Sequence, residues 1–175
     1  MYNNLRIDLK LPICSFDAKT GVLCPKCESK LKSGHLSKTD VDTSVKMSKL
    51  TGRYPELDKI TLVRAINVRG DYVLVLGSGD LNILHRDFNL KKLESEFGVK
   101  VWAIEGGATD RKILEDLFFP IRIVTVNIVW LPDGSKLTKI IIPGRKTERF
   151  PIDVEKLKVV IKEVRGIDLM VEFGR

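Results

Sequence analysis

The feature that most constrains this chain is that its second half repeats the order of its first. The segment "EFGVKVWAIE", residues 96–105, is answered by "VRGIDLMVEF", residues 164–173, a recurrence of about 67 residues. In both, a glycine stands between an amphipathic stretch and a β-branched run. The same elements must therefore be built twice.

The first copy opens on "TDVDTSVKMSKL", where Thr39 or Asp40 is a good N-cap, Val41, Val45 and Leu50 keep rough helical spacing, and Gly52 is a stop. "KITLVRAINV" and "DYVLVLG" alternate like strands, and Arg69-Gly70 between them is a hairpin connection. A helical turn at Asp80 to Leu84 and a turn at His85, Arg86, Asp87 and Phe88 come next. A helix from Asn89 to Phe97 then puts Leu90, Leu93 and Phe97 on one face, Gly98 caps it, and "KVWAIE" is a third strand.

The second copy reads the same way. "ATDRKILEDLFF" is a helix with Thr109 as N-cap, ended by Pro120. "IRIVTVNIVWL" and "SKLTKIIIP" are strands joined by an Asp-Gly turn, the irregular "GRKTERFP" follows, "IDVEKLKVVIKEV" is an amphipathic helix, and "GIDLMVEF" closes as a strand. This predicts an α+β protein with repeated units at 39–106 and 107–175, each reading helix, strand, strand, turn, helix, strand, behind a distinct segment at 1–38.

That first segment, rich in turn formers, reads as a compact knuckle with a short helix around Glu28 to Leu31. It carries all three cysteines, Cys14, Cys24 and Cys27, spaced C-x9-C-x2-C. An odd number confined to so short a stretch argues against a disulfide scaffold. "CPKC" is a common zinc half-site, since a turn of that length can aim two thiolates at one ion. Structural zinc takes four ligands: His35 is the nearest fourth candidate, with Asp17 behind it. Two other readings stay open, a packed turn of reduced thiols or a pair that closes as a disulfide on oxidation.

Lys and Arg number 30 against 23 Asp and Glu, a formal net charge of +7, which favours a polyanionic partner. The 43% hydrophobic content supports real cores. No segment approaches the roughly 18 apolar residues that span a bilayer, and the N-terminus lacks the apolar stretch of a signal peptide, so a cytoplasmic protein without a membrane partner is expected.

The stretch "YVLVLGSGDLNILHRDFNLKKLESEFGVKVWAIEGGATDRKILEDLFFPIRIVTVNIVWLPDG", continued by "KIIIPGRKTERFPIDVEKLKVVIKEVRGIDLMVEF", resembles the archaeal NusA-like family of tandem KH-domain transcription proteins. "LPICSFDAKTGVLCPKCESKL" is similar to a cysteine-bearing extension on some of its members. The resemblance implies two tandem type II KH units, each helix-strand-strand-helix-helix-strand, single-stranded RNA as ligand, and a role in transcription elongation or termination near RNA polymerase or the ribosome.

The turn where that family carries Gly-Lys-x-Gly is "HRDF" here, and the second unit's equivalent, near "KTERFP", also lacks a glycine pair. A Gly-x-x-Gly turn lets backbone amides approach phosphates closely, because glycine has no Cβ and tolerates positive φ. What remains is basic: His85 and Arg86, with Lys91 and Lys92 following, and Arg145, Lys146 and Arg149 in the second unit. These are candidates for charge-assisted phosphate contacts. A protein-docking surface on a KH-derived scaffold, and an ordinary exposed loop, are the competing readings.

Catalysis is not expected. The two histidines, His35 and His85, have no serine or cysteine beside them in a nucleophilic pattern, and "GSGD" at 77–80 lacks the order a nucleotide cradle needs. "EGGATD" at 105–110 reads as a linker ahead of the second unit's helix. Trp102 and Trp130 fall in strand patterns, where core packing is the ordinary role; stacking on bases requires an open face.

Overall fold

The structure, a computed structural model, describes residues 9–145 and 151–174. It is α+β, with two three-stranded sheets, and divides into two compact units, Met1–Gly107 and Ala108–Arg175. The cysteine segment belongs to the first.

In the first unit α1 (Ser15–Thr20) and α2 (Pro25–Lys32) precede α3 (Lys38–Leu50), β1 (Leu62–Val68), β2 (Asp71–Leu76), α4 (Asp80–Asp87), α5 (Leu90–Phe97) and β3 (Val101–Glu105). The sheet order is β1-β2-β3, antiparallel across the hairpin and parallel between β2 and β3, with Tyr72 opposite Val101. Arg69, at φ 53, and Gly70, at φ 94, supply the two left-handed positions that a two-residue hairpin turn needs.

One side of this sheet is sealed by helices. Met47 and Leu50 from α3, Leu81 and Leu84 from α4, and Leu93 and Phe97 from α5 are buried in one cluster with Leu62, Ala65, Leu74 and Leu76. The N-cap of α3 lies two residues before Thr39, the earlier of the two predicted caps. Ser37 is the cap, its hydroxyl accepting from the Asp40 amide (3.1 Å) while Asp40 Oδ2 accepts from the Ser37 amide (2.8 Å). The other oxygen of buried Asp40 accepts from the Ala65 amide of β1 (2.6 Å), so one carboxylate both starts the helix and pins it to the sheet.

The knuckle has a small core of its own, Ile13, Ala18, Cys27 and Leu36, with Val41 and Val45 of α3 packed against it. It holds two helices where the sequence predicted one, and α2 is longer than the predicted turn.

The second unit runs α6 (Asp110–Phe118), β4 (Thr125–Trp130), β5 (Lys136–Pro143), α7 (Val154–Arg165) and β6 (Asp168–Gly174). Its sheet repeats the first: order β4-β5-β6, antiparallel then parallel, with Leu137 opposite Asp168. Ile140 and Ile142 of β5 and Leu157, Val160 and Ile161 of α7 are buried. Between β5 and α7 the described residues contain no counterpart of α4, so among the described residues the six-element order is complete in the first unit only.

The predicted "HRDF" turn is corrected. His85, Arg86 and Asp87 are the last turn of α4, and buried Phe88 is its C-cap. Leu81, Leu84 and Phe88 follow one helical stripe into the core, and that apolar spacing carries the helix through where no glycine or proline stops it.

Candidate functional site

Two short helices bring four metal-type donors together by the same local rule. Cys14 is the N-cap of α1 and Asp17 its third residue; Cys24 is the N-cap of α2 and Cys27 its third residue. In the first turn of a helix these two positions point the same way, past the unsatisfied amides. "CSFD" and "CPKC" are thus two knuckles of one spacing, and the second pair of donors faces the first. One donor atom from each of Cys14, Asp17, Cys24 and Cys27 lies within 4.8 Å of the others. Four donors around a single zinc ion stand about 3.5–3.8 Å apart, so a modest contraction brings this set to coordination distance.

Asp17 is wholly buried, and its Oδ2 accepts from the Cys24 amide (3.1 Å), tying the start of α2 to α1. Its Oδ1 is buried with no partner of hydrogen-bonding geometry. The Cys27 thiol, then the Cys24 amide and the other two thiols, hold the Asp17 carboxyl down at about 2, against the burial that raises it. Burial first, and the Asp17 carboxylate next, push the Cys27 thiol up to about 12. A carboxylate with an orphaned oxygen, facing three thiols, is a polar cluster that a cation would complete. Cys14 is exposed and Cys24 half-buried, so the cluster opens toward solvent on the Cys14 side. The set can hold a metal ion.

His35 is not part of it. It is exposed, and its Nδ1 lies 2.8 Å from the Ser33 hydroxyl. Asp17 takes the fourth place, and the sequence carries a signal for it: the two-residue gap of C-x2-C recurs between Cys14 and Asp17.

The first unit's basic candidates gather around the corner between α4 and α5. Arg86 is exposed and doubly bonded to Asp87, Nε to Oδ1 at 2.8 Å and a terminal nitrogen to Oδ2 at 3.1 Å. That pairing raises the guanidinium's pKa and lowers the carboxyl's. Lys91 is exposed at the start of α5. The Lys92 ammonium is 5.4 Å from the rings of both Tyr54 and Phe88, which meet edge to face. His85 is half-buried. The Asn89 side chain already accepts from the Lys91 amide (2.9 Å), so the backbone donor that a glycine turn would offer a phosphate is in use. Arg145 is exposed beyond β5; Lys146 and Arg149 lie outside the described residues. The two tryptophans part company: Trp102 is 5% exposed and Trp130 is 65% exposed.

No helix among the described residues is long and apolar enough to cross a membrane. No family model matches the chain, and no curated protein matches it. A solved structure titled "Crystal structure of APE1850" aligns with it at a TM-score of 0.45 and 16% identity, over 74% of this chain and 95% of that one.

Proposed function

We propose that this chain is a non-catalytic, single-stranded RNA-binding protein of two KH-like, type II units, with a structural zinc ion held by Cys14, Asp17, Cys24 and Cys27. The observation that carries the reading is the first unit's order, helix-strand-strand-helix-helix-strand, on a sheet that is antiparallel then parallel. Its support is the second sheet's identical pairing, the net charge of +7, and the resemblance of residues 60–174 to the NusA-like family. By that resemblance the setting is transcription elongation or termination.

At the α4–α5 corner RNA is held by side chains. Arg86 exchanges Asp87 for a phosphate, and Lys91 stands one residue into the next helix. Contacts of this kind are electrostatic and lose strength steeply with salt, because each neutralised phosphate releases counterions. The zinc orders the knuckle, with the low-lying Asp17 carboxylate supplying an anionic oxygen beside three sulfurs.

The test is titration of a fluorescent single-stranded RNA pool at two salt concentrations with the wild type and an Arg86→Glu, Lys91→Glu, Arg145→Glu variant. Salt-sensitive binding that the variant loses supports the reading; no binding at low salt ends it. A second reading, favoured by the Phe88–Asn89 closure of the corner, is a protein-docking adaptor on RNA polymerase or the ribosome. It predicts a partner interaction that salt barely changes.

A further inference from the structure

The hairpin of the second unit leaves an aromatic ring standing in solvent. Trp130 ends β4, and alternation puts it on the same face as Ile128 and Val126; Val126 pairs with buried Ile140, so this is the face that α7 covers further along. The cover stops short. Helix α6 ends at Phe118, four residues shorter than α3, and Pro120 follows it. Ile128 is 63% exposed beside Trp130.

The surroundings of the ring have a definite chemistry. Lys136, directly opposite Trp130 across the hairpin, places its ammonium 4.6 Å from the ring centroid. Thr138, opposite Ile128, shares the face. The acid of the hairpin turn, Asp133, is turned back onto Ser135, accepting from its amide at 2.9 Å and its hydroxyl at 2.6 Å. A flat π-surface on a rigid hairpin and an adjacent cation that, among the described residues, has no carboxylate in an ion pair with it is the combination that stacks an unpaired base and holds its phosphate.

We propose that Trp130, with Lys136, is a base-stacking platform for single-stranded RNA on the open end of the β4–β5 face. The inference rests on the RNA-binding reading above and adds to it the place where a base is held. Charge complementarity selects this occupant over a second copy of the chain: an isologous pairing sets the patch against its own copy, and this patch brings the Lys136 cation with the nearby acid, Asp133, already engaged by Ser135.

Trp130 and Trp102 are the chain's two tryptophans, so a Trp102→Phe protein reports on Trp130 alone. The experiment titrates it, the wild type, Trp130→Ala and Trp130→Phe with an oligouridylate of roughly 12 nucleotides and with the corresponding duplex. The expected result is saturable quenching of Trp130 emission by the single strand and little by the duplex. Trp130→Ala should bind the single strand about 5- to 150-fold more weakly, the loss that removing one base–aromatic stack corresponds to. Trp130→Phe should keep most of the affinity, and far-UV circular dichroism of the two variants should match the wild type. Wild-type binding with unchanged emission and equal affinity in Trp130→Ala would overturn the platform and leave the RNA reading standing. Absence of RNA binding in every protein at low salt would remove both. A wild-type dimer in sedimentation that Trp130→Ala dissolves, with RNA affinity unchanged, would assign the face to a second copy and overturn the proposal.

Discussion

Asp17 shows how much can turn on one side chain. Its carboxylate is the only oxygen donor among the four of the knuckle and also the cap acceptor for Cys24. On the proposed zinc reading, Asp17→Ala should weaken metal retention about tenfold or more, because losing even a group that supports a ligand costs roughly that much; metal analysis after dialysis against a weak chelator reads it. Asp17→Cys should keep the metal, as a four-sulfur site. Asp133 offers a pH test. The Ser135 hydroxyl and amide hold its carboxyl below the ordinary 3.8. A depressed value means that the turn's contribution to stability is present above 3.8 and lost as pH falls through the lower folded value. The Ser135 amide resonance should therefore report a midpoint under 3.8. Asp17 and Trp130 mark a limit of sequence reading. Carboxylates are too common for Asp17 to stand out, although its spacing from Cys14 repeats that of Cys24 and Cys27. Trp130 carries no sign of exposure, since the strand pattern around it is as apolar as that around buried Trp102.

At the scale of elements, the joint between α3 and β1 depends on Asp40. Asp40→Ala removes the carboxylate half of the α3 capping box and strands the buried Ala65 amide, at a cost of about 2–4 kcal/mol. Amide exchange in α3 and β1 should accelerate together, while α7 and β6 keep their protection. Among the described residues the knuckle's core is four buried side chains with partly buried neighbours, a small core for holding α1 and α2. On the proposed zinc reading, chelation should release the amides of residues 15–32 to exchange with α5 and β3 unaffected. The strands and the helices ending in Gly98 and Gly166 were legible because both glycines adopt the left-handed cap that their position suggests, φ 70 and 68. The end of α4 was not. Phe88 and Asn89 turn the chain without a glycine or proline, and only the buried stripe of Leu81, Leu84 and Phe88 marks where the helix runs.

For the whole molecule, charge sets the size of the salt effect. If the exposed cations of the two units meet phosphates one to one, each reversal to glutamate should flatten the slope of log affinity against log salt by about 0.7. A variant that loses affinity without changing that slope has lost a stack or a fold. The repeat that opens the sequence reappears as two sheets of identical pairing, each built from strands contiguous in the chain. In each, a local hairpin comes first and the parallel strand arrives last, across nearly equal intervals from Tyr72 to Val101 and from Leu137 to Asp168. Synthesis runs from the N-terminus, so β3 is available to close the first sheet before any strand of the second exists. Two sheets alike enough to exchange strands are thereby kept apart in time: the earlier one has no vacant edge beside β2 when β6 emerges.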